Sequence, residues 1–317
     1  MGVRLQDIIV PDVWNDYILE KTAETSTLLV SGILANDDAI KALANGAGQT
    51  VNMPFFQDLT GSAERGGVGF DGDSLTPKGI TSGKDVAVKI FAGNAWDSSD
   101  FAGLLSGTKP LEAIASRVVD FWNREKQKSL LASLSGVFST ALATTHTLDI
   151  SALAGDLAVI GASSTLDAKQ LLGDKAGGLE AMAMHSATYA KLQKDQLIVY
   201  EKVADQTITI PTYLGYVVIV DDGLPVEAGV YTTYLFGKGA VGYSDVALDN
   251  AVETDRDTLG GADVLISRSG WIMHPRGIKW NTTTFNPTDE QLATGANWSK
   301  VYEDKNIRMI AFKHKIA

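Results

Sequence analysis

Gly67-Val68-Gly69-Phe70-Asp71-Gly72 has the spacing with which a glycine turn brings a backbone against a pyrophosphate. That chemistry needs a strand before the turn and a helix after it, so that phosphate meets the helix amino end. Here Ser74-Leu75-Thr76-Pro77-Lys78-Gly79 follows, which cannot start a helix of any length. Gly79-Ile80-Thr81-Ser82-Gly83-Lys84-Asp85 imitates a phosphate loop but is one residue short. It also places Asp where a hydroxyl must hold magnesium. Asp71-Gly72-Asp73 opens like a calcium loop, yet its twelfth position is Ser82 rather than Glu. His146, His185, His274 and His314 are too far apart for a zinc motif and read as lone surface or satisfied core residues. Gly161-Ala162-Ser163-Ser164-Thr165 lacks the closing glycine of a nucleophile elbow. Asp221 and Asp222 point to opposite faces of a strand end and read as a turn, not a catalytic pair. The pattern predicts no catalytic, cofactor-binding or metal-ligating residue.

Composition narrows the classes further. Cysteine is absent, which removes disulfides, thiolate metal sites and thiol nucleophiles, and fits a reducing compartment. No apolar run approaches the ~18 residues of a membrane helix. Met1 to Asp7 has no apolar core and reads as mature sequence rather than a signal peptide. The glycosylation patterns at Asn281 and Asn297 therefore carry no weight. Lys and Arg number 27 against 38 Asp and Glu, a net charge of −11. An acidic chain is a poor dedicated nucleic-acid binder, but a good wall around a polyanion that must not be gripped.

Elements follow from periodicity. Residues 7–45 hold short helical patterns, one near Pro11-Asp12 that carries Trp14, another from Asp37 to Leu43, and read as an arm with little packing of its own. Gln49–Phe56 and Asp85–Phe91 alternate polar and apolar residues, as two strands of a hairpin do. Between them, residues 61–83 hold seven glycines, which supply no core. So long an excursion finds its place on something outside the chain. Phe55, Phe56 and Phe70 there form either a small local cluster or an interface with a neighbouring subunit. The glycine argument favours the second. Trp14 and Arg65 join them as interface candidates.

Residues 108–135 read as a long amphipathic helix. Leu111, Ile114, Ala115, Val118, Val119 and Trp122 make its apolar stripe, and Gly136 its stop. Its other face carries Arg117, Arg124, Lys126 and Lys128. That face is either solvated or turned to a nucleic-acid lumen, for which Arg117, Arg124 and Lys128 are the candidates. Residues 165–172 read as a capped helix, Leu179–Met184 as a buried strand, and Ser186 as the cap of a further helix. Val217–Val220 reads as a strand buried on both faces, ended by Asp221-Asp222-Gly223 and Pro225. A partner at 230–236 returns to Gly237. Val264–Met273 is a long strand and Ile307–Phe312 the last one.

The series Leu214-Gly215-Tyr216-Val217-Val218, Leu224-Pro225, Leu235-Phe236-Gly237 and the strand-to-helix step Ala183 to Leu192 carry a resemblance. In this order, after arm, hairpin and long helix, they resemble the major capsid proteins of tailed bacteriophages with the Hong-Kong-97-type fold. The resemblance spans nearly the whole chain. It implies an α+β fold with an amino-terminal arm (1–48) and an extended β-hairpin loop (49–91). A peripheral domain (92–136 and 241–317) with spine helix 108–135 and an axial domain (137–240) complete it. It implies no enzyme activity and no cofactor. The implied role is a virion shell subunit that self-assembles into the pentamers and hexamers of an icosahedral head enclosing double-stranded DNA. Scaffolding, portal and decoration proteins are implied partners, membranes are not, and assembly is implied in the host cytoplasm. Some members carry a leading scaffolding segment, and here the arm starts almost at Met1, so scaffolding is expected as a separate protein or not at all. Some crosslink through lysine. Lys78, Lys84 and Lys89 lie in that region, with no basis for choosing one and no crosslink favoured. The alternatives are an encapsulin-like nanocompartment shell and a soluble nucleotide-binding enzyme.

Overall fold

The computed structural model describes residues 34–36, 38–46, 48–59, 78–101, 104, 110–202 and 209–316. Two large sheets share one long helix. The first sheet runs in the order β1 (Leu34–Asn36), β11 (Val241–Val246), β13 (Ala262–Pro275), β3 (Ser82–Ser99), β2 (Thr50–Phe56), with β12 (Val252–Asp257) also on β13. The second runs β4 (Thr147–Asp149), β16 (Met309–His314), β10 (Val230–Gly237), β5 (Leu179–Met184), β8 (Tyr216–Val220), β7 (Thr209–Tyr213), β6 (Val199–Lys202), with β9 (Val226–Glu227) on β10. A small ribbon pairs β14 (Ile278–Trp280) with β15 (Trp298–Lys300). The last strand, β16, bonds to β10 and β4, so the carboxyl end returns to the sheet of residues 137–240 rather than staying in the peripheral part expected for 241–317.

The side-chain period of two explains the layers. In the second sheet Ala183, Tyr234, Phe236, Met309 and Ala311 point to one face, and Met182, Met184, Leu235, Ile310 and Phe312 to the other. The first face meets the long helix. The second is covered by α4 (Ala162–Gln170) and α5 (Ser186–Lys194), through Ala168 and Leu192. The first sheet does the same with Trp271 and Met273 against Ile272. Val217 is 40% exposed, so β8 is buried on both faces only from Val218 onward, contrary to the continuous run expected. Two hairpins close through Leu214-Gly215 (φ 50° and 82°) and Ala228-Gly229 (φ 50° and 79°). Both central residues are left-handed, as the tight turn matched to strand twist demands.

The long helix departs from its expected form in three ways. It comes as α2 (Pro110–Ala115) and α3 (Val118–Ser139). At the break the Ser116 hydroxyl donates to the Ala113 carbonyl at 2.7 Å, a local bond that competes with helix continuation. Val119, expected in the stripe, is 67% exposed. Gly136 does not stop α3 but lies inside it. A Cβ there would sit 2.1 Å from the Leu292 carbonyl and 2.8 Å from Trp298 Nε1, so the glycine marks where α6 (Asp289–Ala293) and β15 press against the helix.

Other boundaries also move. Residues 34–36 and 38–44 are not loosely packed. β1 pairs parallel with β11, and α1 (Asp38–Ala44) buries Ile40 and Ala44 against Val51, Ala87 and Ile272. α4 begins at Ala162, and Thr165, expected near its cap, instead donates to the Gly161 carbonyl from the first turn. His185 rather than Ser186 caps α5, its Nδ1 accepting from the Ala187 amide at 3.1 Å. The return strand β3 is much longer than expected, and Asp85 to Ile90 are all buried instead of alternating, because both faces are covered there.

Candidate functional site

Two features carry the candidates named from the sequence: the hairpin β2–β3 and the outer face of α3. The hairpin pairs Thr50–Phe56 with Ser82–Val88 in unbroken antiparallel register. Pro54 is tolerated because β2 is an edge strand. Phe55 and Phe56, adjacent on the strand, go to opposite sides. Phe55 lies over Gly83, where a Cβ would meet the ring at 2.6 Å, and packs edge-on against Tyr302 at 4.8 Å between centroids. Phe56 is 74% exposed, as are Leu59 (77%), three residues on, and Ile80 (54%), two residues before its pairing partner Ser82. The local-cluster alternative therefore describes Phe55, and Phe56 is left outside it. Between the hairpin base and residues 301–308 runs a groove of about 670 Å³, lined by Phe55, Phe56, Asp58, Tyr302, Glu303 and Arg308. Trp14, Arg65 and Phe70 lie outside the described residues, as does the G-x-G-x-x-G stretch. Gly83, Lys84 and Asp85 are in β3, so no helix follows the phosphate-loop look-alike.

α3 is held by polar bonds that its stripe did not announce. Trp122 Nε1 donates to Ser267 at 2.9 Å, Gln127 to Asp221 at 2.7 Å and Ser129 to Asp289 at 3.0 Å. Lys126, read as part of the basic face, is buried. Its ammonium donates to Asp245 at 2.6 Å and to the Tyr243 hydroxyl at 3.0 Å. Burial first, and then the hydrogen bond to Asp245, push the Tyr243 phenol far above its usual range. Arg117, Arg124 and Lys128 remain together. The spacings of seven and four residues place them within an arc of about 40°. Arg117 stands at the N-cap position of α3 without a side-chain capping bond, and Lys128 pairs with Glu125 at 2.7 Å while its side chain stays half exposed.

Four of the groups weighed for catalysis, Asp221, Asp222, His146 and His314, are used in structure. Asp221 Oδ1 accepts from the Gly223 amide at 2.8 Å in the turn, while Asp222 accepts from the Ser186 amide at 3.0 Å. His146 is buried, with Nε2 3.0 Å from the Asp304 carbonyl, and burial holds it below the usual imidazole range. His314 is buried beside Thr233 and is pushed down to about 4 by burial. Among the described residues no group of three His, Asp or Glu could hold a metal ion, and no helix is long and apolar enough to cross a membrane. Lys89 is buried and donates to the Gly46 carbonyl at 2.6 Å, which takes it out of any crosslinking set, whereas Lys78 and Lys84 are exposed.

A hairpin projecting from a sheet, a long helix shared by two sheets and a second sheet between helices define the Hong-Kong-97-type fold. Solved structures bear that out. The capsid of Ralstonia phage GP4 matches with TM-score 0.59 at 10% identity, covering 99% of this chain and 98% of that one. The SrpI encapsulin complex of Synechococcus elongatus PCC 7942 matches with TM-score 0.61 at 8% identity, covering 96% and 92%. At such identities these matches speak for the fold alone. Sequence decides between the two kinds of shell. Residues 12–307 match the model of the Gp13-like family, described as major capsid protein 13-like, and the chain belongs to that family. The major capsid protein of Bacillus phage SPP1 is 44% identical over 323 residues, 99% of this chain and 98% of that protein. The chain is thus a major capsid protein of a tailed phage, a structural subunit of the virion and not an enzyme.

Proposed function

We propose that the chain assembles into pentamers and hexamers that close an icosahedral head around double-stranded DNA. The carrying observation is the hairpin. It places Phe56, Leu59 and Ile80 in solvent beyond the cores of its own molecule. A standard protein interface buries about 1,600 Å² in total, and a projecting hairpin adds contact area that compact domains lack. In this reading Phe56, with Phe55 beside it and Trp14, Arg65 and Phe70, meets the neighbouring subunit. Arg117, Arg124 and Lys128 face the lumen and touch DNA without reading sequence, while the acidic chain as a whole avoids trapping it. Residues 1–48 act as arm, 49–91 as extended loop, 92–136 and 241–317 as peripheral domain and 137–240 as axial domain, with β16 lent to the axial sheet. Assembly takes place in the host cytoplasm, with separate scaffolding, portal and decoration proteins as partners.

Purified chain, alone and with co-expressed scaffolding protein, tests this by sedimentation and electron microscopy. Rings or shells of uniform size are expected, and particles recovered from infected cells should hold nuclease-protected double-stranded DNA. A chain that stays monomeric under every condition overturns the proposal. Particles filled with protein and free of DNA would transfer it to the encapsulin type.

A further inference from the structure

The root of the hairpin holds a buried polar pair for which neither core nor assembly surface has a use. β3 is paired with β13 as far as Lys89 opposite Ile272, and with β2 from Val88 opposite Thr50. Beyond that step β3 leaves β13 and runs with β2 alone, yet Val51, Val86, Ala87 and Val88 stay buried, so the packed part of the hairpin extends past it. Just beyond it Asp85 (2% exposed) faces His274 (1% exposed), Oδ2 lying 2.9 Å from Nε2. The contact is off the hydrogen-bond axis. Asp85 Oδ2 accepts instead from the Gly277 amide at 3.1 Å, and Asp85 Oδ1 and both ring nitrogens of His274 have no aligned partner among the described residues.

Buried polar atoms without partners cost free energy, and an apolar pair of similar size would fill the site at no such cost. Stability therefore does not account for the pair. Position does. Asp85 stands on the hairpin side of the handover, and His274 and Gly277 stand on the body side. Asp85 is the last buried residue of β3 toward the tip, with Lys84 exposed next to it, so a swing of the exposed end of the hairpin pivots there and moves its carboxyl relative to the imidazole. One further contact holds the hairpin to the body on the tip side of Asp85, Phe55 against Tyr302 at 4.8 Å.

We propose that Asp85 and His274 form a latch that fixes the angle between hairpin and peripheral sheet. Its incomplete hydrogen bonding makes it releasable, so that the hairpin takes a second angle when a neighbouring copy holds its tip. The second half of the proposal rests on the hairpin being an assembly surface. Hydrogen exchange on the unassembled full chain tests the first half, comparing wild type with D85N, H274Q and the double variant. Amides of 50–56 and 82–88 should exchange about tenfold faster in each single variant and no faster in the double, as expected for two partners of one contact. Amides of β5 and β10 should keep their wild-type protection. Unchanged hairpin exchange in D85N overturns the latch. So does equal acceleration in β5 and β10, which would mean general destabilisation. If H274Q is recovered only unfolded, the pattern in the near-isosteric D85N decides alone. Electron microscopy of assembled D85N then tests the second half. Particles of mixed size are expected, and wild-type size and uniformity would remove it. If wild-type chain forms no particles, the assembly reading fails while the exchange result still decides the latch.

Discussion

The eight-stranded sheet and the hairpin are both β structure, yet they are built on opposite principles. The eight-stranded sheet is covered on both faces. Its central strands place Met182, Leu235, Ile310 and Phe312 at no exposure at all. The hairpin keeps Val51 and Asp85 to Val88 buried at its root, and past them it has two strands, one local ring contact and the exposed apolar residues Phe56, Leu59 and Ile80. A two-stranded ribbon is marginal in water. The chain therefore concentrates its own stability in the sheet and helix, and leaves the hairpin to depend on its root and on whatever covers its tip. Substitutions in the first region should change folding, and substitutions in the second should change assembly.

The largest effect tests the helix that joins the two sheets. Gly136→Val forces a side chain into the Leu292 carbonyl and the Trp298 ring, and should cost about 4 kcal/mol or more. Chemical denaturation should show the loss, and a variant as stable as wild type would mean that α6 does not press on α3. Acid comes next, and it should strike the eight-stranded sheet. His314 is held down to about 4 in the folded chain, against about 6.5 for a free imidazole. The unfolded state takes up the proton first, so this contribution is intact above pH ~6.5 and is lost as pH falls toward ~4. About 3 kcal/mol should disappear over that window. His146, lowered by burial, acts in the same direction. Urea melts at several pH values should show this slope, and His314→Gln should flatten it.

Smaller effects sharpen the contrast inside the hairpin itself. Phe55→Ala removes the ring packed over Gly83 and against Tyr302, and should cost about 1–2 kcal/mol, read as faster exchange at the root. Phe56→Ser should leave monomer stability within about 0.5 kcal/mol, because the ring already lies in water. Its expected effect is on particle yield. Equal yields from Phe56→Ser and wild type would take Phe56 out of the interface.

Much of this was legible in one sequence where the signal was local. The buried strand Leu179–Met184 matches its expected span residue for residue, because its apolar run is bounded by glycine on one side and a helix cap on the other. The turn at Asp221–Gly223 was readable for the same reason, since an Asp side chain two residues before a glycine amide is a local device. The long helix was only partly legible. Its polar partners Ser267, Asp245, Asp221 and Asp289 come from four distant stretches of chain. No periodicity announces a lysine whose partner lies 119 residues away, so Lys126 read as solvent-facing. Of the interface candidates, the sequence marked the aromatic pair in β2 but not which ring would find a partner at home, since Tyr302 is brought there by the fold.

What the sequence by itself determined is the set of elements and the class of protein. Period, turn chemistry and the absence of any spacing that could catalyse are properties of neighbours along the chain, and they survive without a fold. Only the tertiary structure decided which sheet receives the last strand, why Gly136 sits inside a helix, and that Asp85 meets His274. Each depends on residues far apart in sequence being brought within a few ångströms. That proximity follows from how two sheets pack on one helix, and no window of sequence contains it.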